Sequence, residues 1–192
     1  MTVSGTREAL VAAGIELLEE TGSTDIGLRE IARRAGVSHG APRRWFPTHK
    51  TLLATIADDG LRDLARALGE ADGTDITAVA SAYVEFARAR PAMFTLIFRH
   101  DLLEGSGMGL RTVSKPLFDG LVASIGTAHR DRDRDRDPIT TATALWAGIH
   151  GIAVLSTTGA LQLAAPGTDV NELIRRVVRD ALGQSTRGRS TG

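Results

Sequence analysis

The N-terminal third of the chain concentrates positive charge in one short stretch. Between residues 29 and 50 the only acid is Glu30, although the whole chain has a formal net charge of zero. Six cations and one acid leave a local excess of five charges, and a basic patch of this kind binds the phosphates of nucleic acid. The cations are Arg29, Arg33, Arg34, Arg43, Arg44 and Lys50.

No set of side chains suited to catalysis accompanies this patch. The chain contains no cysteine, which excludes disulfides, thiolate metal ligands and a thiol nucleophile. The five histidines, at positions 39, 49, 100, 129 and 150, lack metal-ligand spacing with acids. Neither a nucleotide-binding glycine loop nor a G-x-S-x-G motif occurs. We therefore expect no catalytic residue, no metal and no cofactor, and a protein that is not an enzyme.

Composition indicates a cytoplasmic protein with a packed core. Apolar residues make up 42% of the chain, which is enough to bury a core. The N-terminus shows no apolar run typical of a signal peptide. The longest stretch of low charge, residues 138–167, contains His150 and several Thr and Gly. It favours a buried helix over a membrane span.

Apolar residues recur at helical spacing throughout, and no segment favours a strand, so we predict an all-α fold. Glycines, prolines and capping residues place the ends of nine helices. Ser38 is expected to cap the third, Thr48 the fourth, and Pro116 marks a kink or boundary. The predicted helices cover residues 6–20, 28–35, 38–46, 49–70, 75–90, 91–100, 110–127, 139–158 and 169–182.

Two stretches favour irregular structure. The run from Arg130 to Asp137 alternates in sign at every residue, so it neutralises itself and predicts an exposed, mobile connection rather than a basic arm. The last residues, 186–192, predict a flexible tail.

Residues 28–53 read LREIARRAGVSHGAPRRWFPTHKTLL and predict a helix-turn-helix. Two short helices joined by a glycine turn cross steeply, which frees the second helix to enter the DNA major groove. Gly36 supplies the turn, and Ala32 is small where the helices meet. Arginines such as Arg43 and Arg44 can bond guanine edges bidentately. An ordinary three-helix bundle with a solvated cationic face remains the alternative for this pattern taken alone.

This segment resembles the DNA-binding domain of the tetracycline-repressor (TetR) family. The pattern I-A-x-x-A-G-V-S-x-G-x-x-x-x-x-F-x-x-x-x-x-L-L runs here from Ile31 to Leu53. The resemblance implies a recognition helix from Ser38 to Phe46. It also implies a DNA-binding domain over residues 1–49 and an effector-binding and dimerisation domain over 50–185. The implied DNA contacts are Arg29, Ser38, His39, Gly40, Ala41, Arg43, Arg44, Trp45, His49 and Lys50.

The chain departs from the family pattern at four places in this segment. Arg43 stands where an aromatic residue is usual, and Trp45 stands where histidine is common. His49 aligns with the usual lysine, which makes Lys50 a substitute phosphate contact. Gly27 replaces a Ser or Thr cap. These changes predict an operator sequence particular to this protein.

The C-terminal half carries a second resemblance. Trp146, His150 and Gly151 form a W-x-x-x-H-G signature similar to that of the WHG subgroup of TetR C-terminal domains. Trp146 and His150 are four residues apart, so they share a helix face. They are interpreted either as effector contacts or as core packing, with His150 bonded to a neighbouring helix.

Aromatic residues are concentrated between residues 83 and 98, beside Met93. They could line an effector cavity or simply fill the core. The candidate effector contacts are Tyr83, Phe86, Phe94, Phe98, Trp146 and His150.

The resemblance implies a cytoplasmic bacterial regulator that binds double-stranded DNA at a pseudo-palindromic operator. Its expected form is a homodimer in which residues 139–158 and 169–182 pack against their counterparts. The first segment is apolar nearly all round, which by itself indicates a partner. Repression relieved by a small apolar or amphipathic effector is the family default. The alternatives are a helical enzyme, or an adaptor or ligand-binding protein of the same fold with weak or lost specific DNA binding.

Overall fold

The computed structural model describes residues 3–130 and 137–183, and all regular structure within them is helical. This confirms the predicted all-α fold. The helices of the described residues are α1 (Val3–Thr21), α2 (Leu28–Arg34), α3 (Ala41–Trp45), α4 (His49–Glu70), α5 (Ile76–Ala89), α6 (Pro91–Ile97), α7 (His100–Leu103), α8 (Arg111–Arg130), α9 (Pro138–Thr157), α10 (Ala160–Ala164) and α11 (Val170–Ala181).

The chain divides into two compact units. The first comprises the residues up to Ala65 together with Ala89–Ser114, and the second comprises Arg66–Arg88 together with the residues from Lys115 onward. Helices α1–α3, α6 and α7, with most of α4, therefore belong to the first unit. The second contains most of α5 and α8 and all of α9–α11.

Helices α1, α2 and α3 contact one another around a small apolar core. Leu10 and Leu18 of α1 are buried, and so is Ile31 of α2. Phe46, directly after α3, is 1% exposed, and the Arg7 guanidinium lies 5.5 Å from the centre of its ring. The turn between α2 and α3 passes through Gly36 at φ +65°, as the sequence predicted.

Helix α3 is shorter than predicted. Ser38 was expected to cap it, but its cap is Gly40, and no side chain caps the helix. Instead the Ser38 carbonyl accepts the amide of Ala41 at 2.9 Å in a separate turn. Pro42, the second helical residue, has no N–H to donate, so a hydrogen-bonded helix cannot extend back through this turn. The helix is held by the Phe46 amide donating to the Pro42 carbonyl at 2.8 Å.

Helix α4 has the predicted bounds. The Thr48 hydroxyl accepts the amide of Thr51 at 3.0 Å and so caps the helix as expected. Gly60 permits close packing against α6, because a Cβ at this position would lie 2.7 Å from Met93 Cγ. An ion-paired network also joins elements of the first unit. Arg90 donates to Glu19 of α1 at 2.9 Å and to Asp63 of α4 at 2.6 Å.

In the second unit α9 packs most extensively against α11. The approach is close, since a Cβ on Gly148 would lie 3.0 Å from Val177 Cγ1. Asp137 caps α9 by accepting the amides of Ile139 and Thr140. Pro116 lies inside α8 without ending it, so the boundary expected there is wrong.

Two short helices were missed by the sequence prediction. Helix α7 follows α6 after a break at Phe98 and Arg99, and α10 follows the left-handed Gly159 (φ +73°). Both have fewer than six residues, which is too short for a periodic pattern to show. Residues 131–136 of the Arg/Asp run and the predicted tail at 186–192 lie outside the described residues.

Gly36 and Gly40 form a matched pair for testing the turn. We expect Gly36→Ala to lower the free energy of unfolding by roughly 1–2 kcal/mol, because alanine is strained at positive φ. Gly40 has φ −86° and open space around its Cα. The loss in free energy of unfolding for Gly40→Ala should therefore be only a few tenths of the loss for Gly36→Ala. Urea unfolding followed by circular dichroism compares the two. Equal losses would contradict the role assigned to Gly36.

Candidate nucleic-acid interface and effector site

One face of the α2–α3 hairpin is exposed and the other closes the core. Pro42 and Phe46 are buried, whereas Arg43 and Arg44 between them are exposed. The turn before α3 is also exposed at Ser38, His39 and Gly40, and Ala41 and Trp45 are half-buried. The predicted base-reading residues therefore lie on the outward side of the first unit.

The arginines of the basic patch fall into two groups. Arg33 pairs with Glu30, with 3.0 Å between Arg33 Nε and Glu30 Oε2, and this contact lowers the pKa of Glu30. Arg34 pairs with Glu20 and lies 3.6 Å from Glu16, both on α1. Among the described residues, Arg29, Arg43 and Arg44 have no acidic partner within 4.0 Å. The sequence count of the excess charge missed Glu16 and Glu20, which α1 brings to Arg34.

His49 and Lys50 are both bonded to backbone carbonyls at the start of α4. A ring nitrogen of His49, Nε2, lies 2.6 Å from the carbonyl oxygen of Ile26. Lys50 Nζ donates to the carbonyl of Glu104 at 2.7 Å. A carbonyl does not neutralise the ammonium charge, and two N–H donors of Lys50 remain for other acceptors.

Tyr83, Trp146 and His150 meet inside the second unit. The Tyr83 hydroxyl accepts the indole N–H of Trp146 at 3.4 Å and lies 2.9 Å from His150 Nδ1. We assign the hydroxyl proton to this second bond, which places the imidazole proton on Nε2. Phe118 packs edge-on against the Trp146 ring with 6.2 Å between the ring centres.

Burial keeps this aromatic cluster uncharged. It raises the pKa of the Tyr83 hydroxyl and lowers that of the His150 imidazole, because an apolar environment disfavours each charged form. His150 is thus neutral at pH 7. The predicted pairing of Trp146 and His150 on one helix face is present, and Tyr83 is the neighbouring-helix group that joins them.

The other predicted effector contacts lie on two separate units. Phe86 belongs to the second unit and is buried. Phe94 and Phe98 belong to the first, where their ring centres are 5.1 Å apart. Met93 is fully buried there against Gly60.

A cavity that the sequence did not indicate opens in the second unit. Its volume is about 560 Å³, and the ends of α5, α8 and α11 line it, including Thr74, Ser124 and Arg179. None of the predicted effector residues lines it. Small residues on α8 (Ala123, Ser124 and Ala128) leave the space, but at separate positions of a sequence such residues carry no distinctive pattern.

The outward face of α9 is apolar and uncharged. Ile139, Trp146, Val154 and Leu155 are 59, 38, 39 and 44% exposed. By length and composition α9 could cross a membrane, and it is the only such helix among the described residues. The exposed face of the neighbouring α11 instead carries ion pairs such as Arg176–Asp180.

The described residues contain no group of three or more acidic or histidine side chains that could hold a metal ion. The described residues instead combine a cationic helix-turn-helix, a hydrogen-bonded cluster of Tyr83, Trp146 and His150, and a helix with an exposed apolar face.

Comparison with known proteins decides the family. A family model described as the C-terminal domain of tetracyclin repressor-like proteins matches residues 76–181, more than half of the chain. The chain belongs to the TetR family. Among proteins of curated function, none matches the sequence significantly.

Solved structures share the whole fold. A protein of unknown function from Rhodococcus sp. RHA1 is 29% identical and has a TM-score of 0.76, with 93% of this chain and 94% of that chain covered. A TetR-family regulator from Streptomyces coelicolor is 18% identical, with a TM-score of 0.67 and 94 and 80% coverage. A fatty acid degradation regulator from Bacillus halodurans is 14% identical, with a TM-score of 0.66 and 92 and 94% coverage.

The family establishes the general class of function. TetR-family proteins are DNA-binding transcriptional regulators rather than enzymes, and they typically act as dimers that bind small-molecule effectors in the cytoplasm. This chain is accordingly a transcriptional regulator. The WHG subgroup remains a prediction from Trp146, His150 and Gly151.

Proposed function

We propose that this TetR-family protein is a homodimeric repressor that binds a pseudo-palindromic operator and is released by a small uncharged effector. The observation that carries the DNA-binding part is the exposure of Arg29, Arg43 and Arg44 on the outward side of the helix-turn-helix, with no acidic partner in the part of the chain that the structure describes. Unpaired guanidinium groups remain available to phosphates and base edges. Other arginines of the same patch, Arg33 and Arg34, are occupied by glutamates.

The proposed contacts are of two kinds: some read the base edges of the DNA, and others bind its phosphates and position the protein. Arg43 and Arg44 project from α3 and can bond guanine O6 and N7 in the major groove. His39 and the small residues Gly40 and Ala41 permit close approach to the bases. The phosphate backbone would be contacted by the residues around this helix, namely Arg29, Ser38, Trp45, His49 and Lys50. A dimer would present two α3 helices ~34–36 Å apart, one turn of DNA.

The dimer interface is proposed to centre on α9. Its exposed Ile139, Val154 and Leu155 form an apolar surface that water solvates unfavourably. Small residues on the same helix, including Ala147 and Gly151, allow another helix to come close. On α11 the exposed charges are satisfied within the helix, so α11 would flank the contact rather than supply its apolar centre.

The effector is proposed to contact the cluster of Tyr83, Trp146 and His150, with Phe86 beside it. Both titratable members of the cluster are neutral, so a charged ligand would find no counter-ion among these side chains and would bear a desolvation cost. A small aromatic or amphipathic molecule with a hydrogen-bonding group fits this chemistry better. Phe94 and Phe98 remain candidate contacts from the sequence prediction.

Effector binding would act by shifting populations between dimer geometries. Helix α4 is covalently continuous from the helix-turn-helix into the second unit, so it is the direct route for such coupling. The protein would reside in the cytoplasm and on the nucleoid when bound to its operator.

The DNA-binding proposal predicts unequal effects within the basic patch. Arg43→Ala and Arg44→Ala should each weaken operator binding by about 1–3 kcal/mol, because each removes an unpaired base-reading guanidinium. Arg33→Ala is the matched control, since Arg33 is already paired with Glu30. An operator is first selected from random and genomic DNA at two salt concentrations, and affinities are then measured by fluorescence anisotropy.

If the wild type enriches no palindrome and its weak DNA association does not depend on salt, the regulator proposal fails in favour of an adaptor that has lost specific DNA binding. If Arg33→Ala costs as much as Arg43→Ala, the division of the patch is wrong.

The dimer proposal predicts that charge on α9 separates the subunits. Replacing both Val154 and Leu155 by lysine would place like charges on both sides of an apolar contact, and desolvating them is costly. We expect the double variant to sediment as a monomer and to bind operator at least tenfold more weakly. Arg176→Ala, on the exposed face of α11, should sediment like the wild type. An unchanged sedimentation coefficient for the double variant would exclude α9 as the interface.

The effector proposal is tested with a library of small uncharged aromatic and amphipathic compounds. Compounds that raise the melting temperature of the wild type are titrated calorimetrically against Tyr83→Phe and Ser81→Ala. We expect Tyr83→Phe to weaken binding about three- to tenfold, the value of one hydrogen bond, and Ser81→Ala on the same helix to have no effect. Equal affinities for Tyr83→Phe and the wild type would place the effector elsewhere, the cavity beside Arg179 being the next candidate.

A further inference from the structure

The segment from Arg99 to Met108, which we name the clasp segment, contacts the two stretches of chain that flank the helix-turn-helix within the first unit. It includes α7 and the glycine-rich turn that follows. In sequence it lies in the C-terminal half of the protein, fifty residues beyond the DNA-binding motif. In space it reaches the loop between α1 and α2 and the first turns of α4.

Arg99 holds one end of the clasp segment. Its guanidinium donates two hydrogen bonds to the Asp101 carboxylate, at 2.7 and 2.6 Å. This fork fixes the plane of the guanidinium, and the remaining terminal nitrogen reaches the Thr24 hydroxyl at 3.3 Å. Two residues further along the same loop, the Ile26 carbonyl contacts His49.

Lys50 is held at the other end. Its ammonium donates to the carbonyl of Glu104, the residue that ends α7. The chain then turns back through Gly105 and Gly107, both at positive φ, and brings the Met108 sulfur to 3.8 Å from the Thr55 hydroxyl of α4. A free lysine side chain is mobile, and fixing it costs conformational entropy. The hydrogen bond to the Glu104 carbonyl orders the Lys50 side chain before DNA binds.

We infer that the clasp segment positions Lys50 as a phosphate-binding cation, with Asp101 and Arg99 as positioning residues that do not touch DNA. This inference rests on the proposed function, since it needs the helix-turn-helix to bind DNA. The bond to the Glu104 carbonyl preserves the Lys50 charge and orients it at the start of α4. The bidentate Arg99–Asp101 pair fixes α7, and α7 fixes that carbonyl.

Removing one acidic residue distinguishes a positioning role from long-range electrostatic attraction, because the two predict opposite changes in DNA affinity. Asp101→Ala removes an acid, so long-range attraction to DNA alone would tighten binding. A positioning role for the clasp segment predicts the opposite result. Arg99 would lose both hydrogen bonds to Asp101, α7 would become less ordered, and Lys50 would no longer be oriented. Asp119→Ala is the matched control: it removes an exposed acid that pairs with Lys115 in the second unit and makes the same charge change.

The experiment measures operator affinity over a range of salt concentrations. We expect Asp101→Ala and Lys50→Met each to weaken binding about fivefold and to lower the slope of log K against log salt by about one, as loss of one phosphate contact requires. Combining the two should give no loss beyond that of Lys50→Met. Asp119→Ala should match or slightly exceed the wild type. Binding by Asp101→Ala as tight as that of Asp119→Ala, or additive losses in the double variant, would overturn the inference.

Hydrogen exchange measured without DNA tests the role of the clasp segment separately from DNA binding. In Asp101→Ala the amides of residues 24–27 and 50–53 should exchange faster than in the wild type. Unchanged exchange overturns the clasp even if the wild type binds its operator as proposed. Faster exchange in a protein that binds no DNA would reject the proposed function and, with it, the role of Lys50.

Discussion

The proposed DNA-binding face depends on one backbone constraint, the left-handed turn at Gly36. This turn reverses the chain between α2 and α3 within a few residues and lets Ile31 and Phe46 be buried in the same small core. Because Pro42 and Phe46 are one helical turn apart, they lie on the same side of α3, and burying them directs Arg43 and Arg44 outward. The outward orientation of these arginines therefore follows from the packing beneath them.

Charge pairing decides which cations of that surface can act. Arg33 and Arg34 are close in sequence to Arg29, Arg43 and Arg44, yet the first two are neutralised by glutamates. Exposed pairs of this kind contribute little to stability, but they change the field that an approaching phosphate meets. The pairs of Arg34 with Glu16 and Glu20 also link α2 to α1.

The second unit combines a hydrogen-bonded polar cluster with an exposed apolar helix face. Tyr83, Trp146 and His150 hydrogen-bond to one another, so the Tyr83 hydroxyl, the Trp146 indole N–H and His150 Nδ1 each have a partner within the unit. Its α9 helix leaves apolar side chains outside, whereas α11 covers its exposed side with ion pairs. The neutral cluster and the exposed apolar face of α9 are the features to which the proposed effector and the proposed second subunit would bind.

The sequence by itself determined the helical class, most helix boundaries and the helix-turn-helix motif. These features are local: apolar spacing, Gly36, Thr48 and Pro91 act on their own neighbours in the chain. It misplaced the start of α3, because Ser38 has the character of a cap while Gly40 and Pro42 shift the first hydrogen bond. Helices α7 and α10 were too short to leave a periodic signal.

Only the tertiary structure decided which groups meet across long separations. The pairing of Arg34 with α1, the bond from Lys50 to Glu104 and the meeting of Tyr83 with His150 join residues 14, 54 and 67 positions apart. No local pattern encodes such contacts, because they depend on how whole helices pack against one another. The sequence supplied the chemical character of each side chain, and packing determined the partner with which each is paired.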